Sequence, residues 1–206
     1  MSVESVQQPA PRSNAGRSRA ARERVLESAL NAFASNGYSG SSLAGIAARA
    51  GLTTAGLLHH YASKEDLLLA VLVERDRLDG ERFHLRDLVG LEALDHLVQL
   101  VQWNASRQGL IQAFTVLMGE STADDHPARS WFQNRYPRRR ANLAAALQAG
   151  IDTGEIRGDV DCRAVAAEVL AMMDGLQVQW VLDPEHIDMP AIFADYVDRL
   201  RRTLRP

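Results

Sequence analysis

The run Thr53-Thr54-Ala55-Gly56-Leu57-Leu58-His59-His60 is followed closely by Lys64, the single lysine of the 206-residue chain. Hydroxyls, imidazoles and an ammonium so close together can donate to and accept from base edges and phosphates. The same groups are badly arranged for metal binding. Adjacent histidines on a helix point in different directions, and the other four of the six histidines are scattered. Cys162 is the lone cysteine, so neither an intrachain disulfide nor a thiolate metal cluster can form within one chain. It reads as a packed or surface thiol. Nucleophile-elbow, phosphate-loop and His-Glu-x-x-His patterns are absent, which argues against an enzyme and gives no cofactor a place.

Recognition needs elements to hold these side chains. Val25, Leu26, Ala29, Leu30 and Phe33 fall at helical spacing from about Arg19, and Asn36-Gly37 supplies a left-handed stop. Ser41-Ser42 can cap a second short helix with Leu43, Ile46, Ala47 and Ala50 on its inner face, ending at Gly51. Thr53 can cap a third, predicted over Thr54 to Tyr61, whose Leu57 faces inward. Ser63-Lys64-Glu65-Asp66 looks like a capping box that opens a fourth helix carrying Leu67, Leu68, Val71 and Leu72. Two short helices joined by a glycine turn and flanked by longer ones make a helix-turn-helix.

Charge supports that reading. Residues 1–66 carry seven basic and five acidic side chains, a net of +2, which leaves −5 on the remainder of a chain whose net charge is −3. The sign suits an N-terminal segment facing phosphates and a body repelled by them. Residues 1–18 are rich in Pro, Gly, Ser and Gln and read as a disordered basic arm. Arg12, Arg17 and Arg19 suit either a minor-groove arm or a solubilising tail. Beyond Gly80 the pattern stays helical, with segments near 91–107, 109–121, 127–151, 161–182 and 190–204, and nothing demands a strand. Pro137 falls inside one segment, where the helix must kink or start. The expected fold is all-α: arm 1–18, helix-turn-helix domain 19–66, connecting helix and linker 67–90, and a helical bundle over 91–206.

The run from Arg22 to Leu72 resembles the DNA-binding domain of TetR-family regulators. It has Asn36-Gly37-Tyr38, Ser-Leu-x-x-Ile-Ala around Ile46, Ala50-Gly51-Leu52-Thr53, and aromatic-x-Ser-Lys-Glu from Tyr61 to Glu65, in the family's order and spacing. Gly154-Glu155-Ile156-Arg157-Gly158-Asp159-Val160-Asp161, then Asp174-Gly175-Leu176 and Trp180, are similar to its effector domain. The resemblance implies a transcriptional regulator, most simply a homodimeric repressor released from a palindromic operator by a small-molecule effector. The third helix would enter the major groove, with Thr53, Thr54, Gly56, His59 and His60 as readers. Lys64 matches the family's phosphate-contacting lysine at a helix N-terminus, and Ser42 completes the DNA-contacting set. Family members carry a tyrosine at the position of Leu58 and Gly-Thr near Ala55-Gly56, so one phosphate contact is lost here.

Residues 91–204 exceed what a dimer needs, and the resemblance implies an effector bound inside the bundle. Trp103, Leu110, Phe114, Leu117, Met118 and Phe132 could line such a cavity, as could Met172, Met173, Leu176 and Trp180. His96, Gln99 and Gln177 supply polar handles, although each of these residues alone suits ordinary core. Under the family arrangement, the segments near 127–151 and 161–182 pair with their symmetry mates. Leu143, Leu147, Ile151, Val165, Val169 and Trp180 are the seam candidates; Trp180 serves both readings because the sequence does not orient its helix. Arg138-Arg139-Arg140 reads most simply as a solvated face or a partner for the acidic surface, and less simply as a contact for an anionic effector. The 46% hydrophobic content suffices for a core, and neither an uninterrupted membrane-length apolar run nor a signal peptide is evident, so a cytoplasmic protein without a membrane partner is expected. A ligand-independent, nucleoid-type DNA binder is the alternative.

Overall fold

Local rules written into the sequence set most helix ends. The computed structural model describes residues 14–83 and 88–206, and among them nine α-helices and no strand occur. They are α1 (Asn14–Asn36), α2 (Leu43–Arg49), α3 (Thr54–Leu58), α4 (Lys64–Arg82), α5 (Glu92–Ala105), α6 (Gln108–Glu120), α7 (Arg129–Asp152), α8 (Cys162–Leu182) and α9 (Met189–Leu204). Ser42, Thr53, Ser63, Asp161 and Asp188 cap helix starts by accepting from backbone N–H groups. Gly37 ends α1 at φ +67°.

Three elements differ from the expectation. α1 starts at Asn14 rather than near Arg19, so the end of the anticipated arm is helical; Ala20 and Ala21 favour helix, and Arg19 pairs with Glu23 at 3.0 Å. Arg12 lies outside the described residues. α3 stops at Leu58, leaving His59 as its C-cap and His60 in the turn beyond. α7 runs continuously through Pro137, which excludes a start there. The missing N–H leaves the carbonyl of Gln133 without its helical donor, and Gln133 is exposed, so water can serve it.

Two buried clusters hold the helices together. One gathers Phe33, Ile46, Leu57, Leu67, Leu68 and Leu72 from α1–α4, and is completed by Phe114 and Leu117 of α6 and Phe132 of α7. Each such side chain contributes about 1.5–3 kcal/mol by leaving water. The other is built from α5, α7, α8 and α9 around Leu94, Leu147, Val169, Trp180 and Phe193. α6 packs along α1 and also against α5 and α8, so it belongs to both clusters. α8 is long and apolar enough to cross a membrane by length and composition, yet it packs against α6, α7 and α9.

Candidate nucleic-acid interface and effector cavity

The turn between α2 and α3 is set by Gly51, whose φ of +71° is a conformation other residues adopt only with strain. No atom lies within 4 Å of where its Cβ would stand, so backbone conformation alone requires glycine. The fully buried Leu57 anchors α3 on the α1 core. Thr53, Thr54, Ala55, Leu58 and His59 are consequently exposed, while Gly56 and His60 are half-buried. Ser42 Oγ accepts from Gly45 N at 3.1 Å and Thr53 Oγ1 from Gly56 N at 3.0 Å, so both hydroxyls still have a proton to donate outward. Ala55 and Leu58, which were not among the anticipated readers, add apolar surface suited to a thymine methyl. The rings of His59 and His60 sit 5.6 Å apart. Among the described residues no three His, Cys, Asp or Glu side chains cluster as a metal site.

Lys64, the first residue of α4, turns back onto the α1–α2 connection. Its Nζ donates to Ser41 O at 2.6 Å and to Ser39 O at 3.4 Å, and lies 4.3 Å from the Tyr38 ring centre. Burial lowers its pKa, with Glu120 acting in the opposite direction. Lys64 thus clamps the helix-turn-helix and leaves its half-exposed ammonium beside the surface that carries α3.

The same region is wired to α6. Glu120, at the end of α6, accepts from Tyr38 N at 2.8 Å, and its Oε2 faces His126 Nε2 at 3.7 Å. Gln112 of α6 donates to Ala34 O at 3.3 Å.

Beside Phe114, in the middle of α6, lies a cavity of about 60 Å³ walled by α4 to α8 and the start of α9. Leu97, Leu100, Val101, Leu170, Met173 and Met189 form its apolar side. Its polar side is heavily charged. Arg75 is buried, its guanidinium 3.6 Å from the Phe114 ring centre, with Asp79 Oδ2 at 3.8 Å as its nearest counter-charge. Asp76 is gripped by Arg138 at 2.8 Å, Arg135 at 2.9 Å and Arg139 at 3.0 Å. Tyr136 donates to Asp174 Oδ2 at 2.7 Å, and Gln177 Nε2 donates to Thr115 Oγ1 at 2.9 Å. Burial pulls Arg75 down to about 10 and pushes the carboxyls of Asp79 and Asp174 up. Arg75 Nε and Nη1, Asp79 Oδ1, Asn104 Oδ1 and Arg139 Nε are buried without a hydrogen-bond partner among the described residues. An apolar cavity of about 50 Å³ shares Leu97, Arg139 and Leu170 with the first.

Residues 25–71 match the family described as bacterial regulatory proteins, tetR family, and residues 92–202 match BetI-type transcriptional repressor, C-terminal. The chain belongs to the TetR family of transcriptional regulators. The HTH-type transcriptional regulator TtgR of Pseudomonas putida is 26% identical over 172 residues, covering 76% of this chain and 78% of the relative. The regulator FadR from Bacillus subtilis in complex with stearoyl-CoA superposes at TM-score 0.76 with 20% identity, over 89% of this chain and 99% of that one. A transcriptional regulator from Saccharomonospora viridis in complex with choline does so at 0.68 with 25% identity, over 86% and 95%.

Within this TetR-family fold the anticipated effector residues separate. Phe114, Met173 and Gln177 line the polar cavity. Met118 and Phe132 line an open groove on the other side of Tyr136 and Asp174. Leu117 and Phe132 pack in the N-terminal core. His96 turns away, its Nδ1 2.7 Å from Phe83 O; Gln99 is exposed; Trp103 is covered by the Arg82 guanidinium at 3.7 Å. Of the seam candidates, Leu143, Leu147, Val169 and Trp180 are buried within the protomer, and Ile151 and Val165 are partly so. Cys162 is buried, which raises its thiol pKa.

Of the charged lining, sequence reasoning singled out Arg139 within Arg138-Arg139-Arg140 but missed Arg75, Asp79 and Arg135, although one signal was present. Leu68, Leu72, Arg75 and Asp79 are spaced by three or four residues, so they continue one buried stripe of α4 from apolar into charged residues. On α7, Arg135 and Arg139 stand one turn apart and face that stripe through Asp76.

Proposed function

We propose that this TetR-family regulator is a cytoplasmic homodimeric repressor that leaves a palindromic operator when a small molecule enters the cavity beside Arg75. The observation that carries this reading is the double engagement of α6. Its Phe114 walls the cavity, and its Glu120 accepts from the backbone of Tyr38 in the helix-turn-helix. A ligand that displaces α6 therefore acts on the element that positions α3, and a difference in affinity between two α6 positions is all that a population shift requires. Thr53, Thr54, Gly56, His59 and His60 are the proposed base readers, and Ser42 and Lys64 the phosphate contacts. Without an arginine or asparagine on α3, the sequence is read through hydroxyls, imidazoles, apolar contacts and DNA shape. The exposed small residues of α8, among them Ala164, Ala167, Ala171 and Gly175, supply a flat face for a second copy. Its function is binding, without catalysis.

Fluorescence anisotropy with the DNA upstream of the reading frame, against scrambled DNA over a salt series, tests the proposal. Binding about 10³-fold tighter to the upstream DNA, with a steep salt slope and one dimer per palindrome, is expected of a specific regulator. Equal weak binding to every DNA would indicate the nucleoid-type alternative, and no binding even at low salt would refute the DNA-binding role.

A further inference from the structure

The polar cavity is built around a buried cation that lacks a proper partner. Arg75 and Asp79 are 6% and 3% exposed, yet their closest approach of 3.8 Å is beyond hydrogen-bond distance. Arg75 Nε and Nη1 and the nearby Arg139 Nε are three buried donors with no acceptor among the described residues. Such atoms are costly to leave unpaired, so they mark a place where acceptor oxygens belong. Arg135 and Arg139 already share Asp76, which leaves Arg75 as the cation whose charge is least answered.

Size and shape narrow the ligand. Beside the guanidinium groups about 60 Å³ is free for the head of a ligand. The neighbouring cavity of about 50 Å³ is walled by Leu88, Ala93, Leu97, Leu143, Ala146 and Leu170 apart from Arg139 and Asn142, and suits an apolar chain or ring. A cation is disfavoured. Three guanidinium groups line the site, and its aromatic rings are already engaged: Arg75 and Arg135 lie 3.6 and 4.9 Å from the Phe114 ring centre, and Arg135 lies 5.8 Å from that of Tyr136.

We propose that Arg75 receives a carboxylate, and that the effector is an apolar monocarboxylic acid whose body fills the adjoining apolar cavity. The guanidinium fork matches two carboxylate oxygens, and the incoming anion replaces Asp79 as its counter-charge. Burial already favours the protonated form of Asp79, so it can take a proton from solvent as the ligand enters and become a donor to it. This inference rests on the effector-responsive reading above, and its test keeps the two apart.

The full chain is titrated calorimetrically with octanoate, octanamide and heptyltrimethylammonium, three probes with one heptyl body and different heads. Octanoate is expected to bind at least tenfold more tightly than either of the others. The double variant R75M/D79L, which removes both buried charges together and whose fold is checked by circular dichroism, should lose that preference. Equal or tighter binding of the amide or the ammonium, retention of the preference by R75M/D79L, or binding of none of the three at millimolar concentration would each overturn the carboxylate assignment. The wild-type comparison decides the question even if the variant does not fold. Octanoate bound in this way without any change in operator affinity would support the assignment and refute the effector coupling.

Discussion

Asp76 shows how one side chain can organise an otherwise repulsive site. Arg135, Arg138 and Arg139 lie within a single turn of α7, and without a shared anion their guanidiniums would repel each other. Asp76, 12% exposed, accepts from all three and so joins α4 to α7. Burial raises its pKa, but Arg135 and Arg139 more than offset this and hold the carboxyl below its ordinary value. A carboxyl depressed in the folded state adds stability that is complete above the unfolded pKa of about 3.9 and is lost as pH falls through the lower folded value. Asp76→Asn keeps the size and removes the charge, and is expected to cost about 3 kcal/mol at neutral pH. Urea unfolding of both proteins at pH 7 and pH 3 checks the sign, because the gap between them should narrow on acidification. A gap that widens would mean that the three arginines do not hold the carboxylate as described.

Elements that obey local rules were readable in advance, and elements fixed by distant partners were not. The start of α4 and both ends of α2, α5, α6, α8 and α9 fall within a residue or two of where caps, glycines and apolar spacing place them, because those signals lie within one turn of the ends they set. α1 gained a turn because its helix-forming residues outweigh the composition of the segment before Arg19. The Arg75–Asp79 half of α4 was invisible for the opposite reason: charged residues on a buried stripe make sense only against Phe114 and Arg135, which come some forty to sixty residues later. The exposure of the proposed readers on α3 needed only the turn at Gly51 and the anchor at Leu57, both local, whereas the cavity lining needed six packed helices. The link through Glu120 is likewise non-local, and it yields a prediction at this scale. Glu120→Ala removes the acceptor of the Tyr38 amide, which should cost about 1–3 kcal/mol and speed hydrogen exchange at that amide. Glu120→Gln keeps an acceptor oxygen in place and should restore most of the protection. Equal exchange in wild type and Glu120→Ala would show that α6 does not hold the helix-turn-helix through this contact.

The homodimer proposed above needs a face for a second copy, because a single helix-turn-helix buries too little surface for useful affinity. The apolar side chains of α7 and α8 that a seam might have used are already spent inside the protomer, Leu143, Leu147, Val169 and Trp180 among them. What α8 leaves outside is a row of small residues, with Ala164, Ala167, Ala171 and Gly175 exposed at helical spacing and Leu182 79% exposed at the end. Small exposed residues let two helices approach closely, and the apolar character of α8, enough by composition to suit a membrane, is then accounted for by a partner helix. Ala171→Glu sets a carboxylate in the middle of that row without touching the core. Its helicity and its melting as an isolated protomer should be unchanged, since surface substitutions seldom exceed about 0.5 kcal/mol. Light scattering should report a monomer at micromolar concentration where the wild type is expected to be a dimer. Affinity for a full palindrome should fall by about 10²-fold or more while affinity for one half-site stays the same, because the link between two weak half-site contacts is what has been cut. A variant that remains dimeric and grips the palindrome as tightly as wild type would place the two-fold axis away from α8.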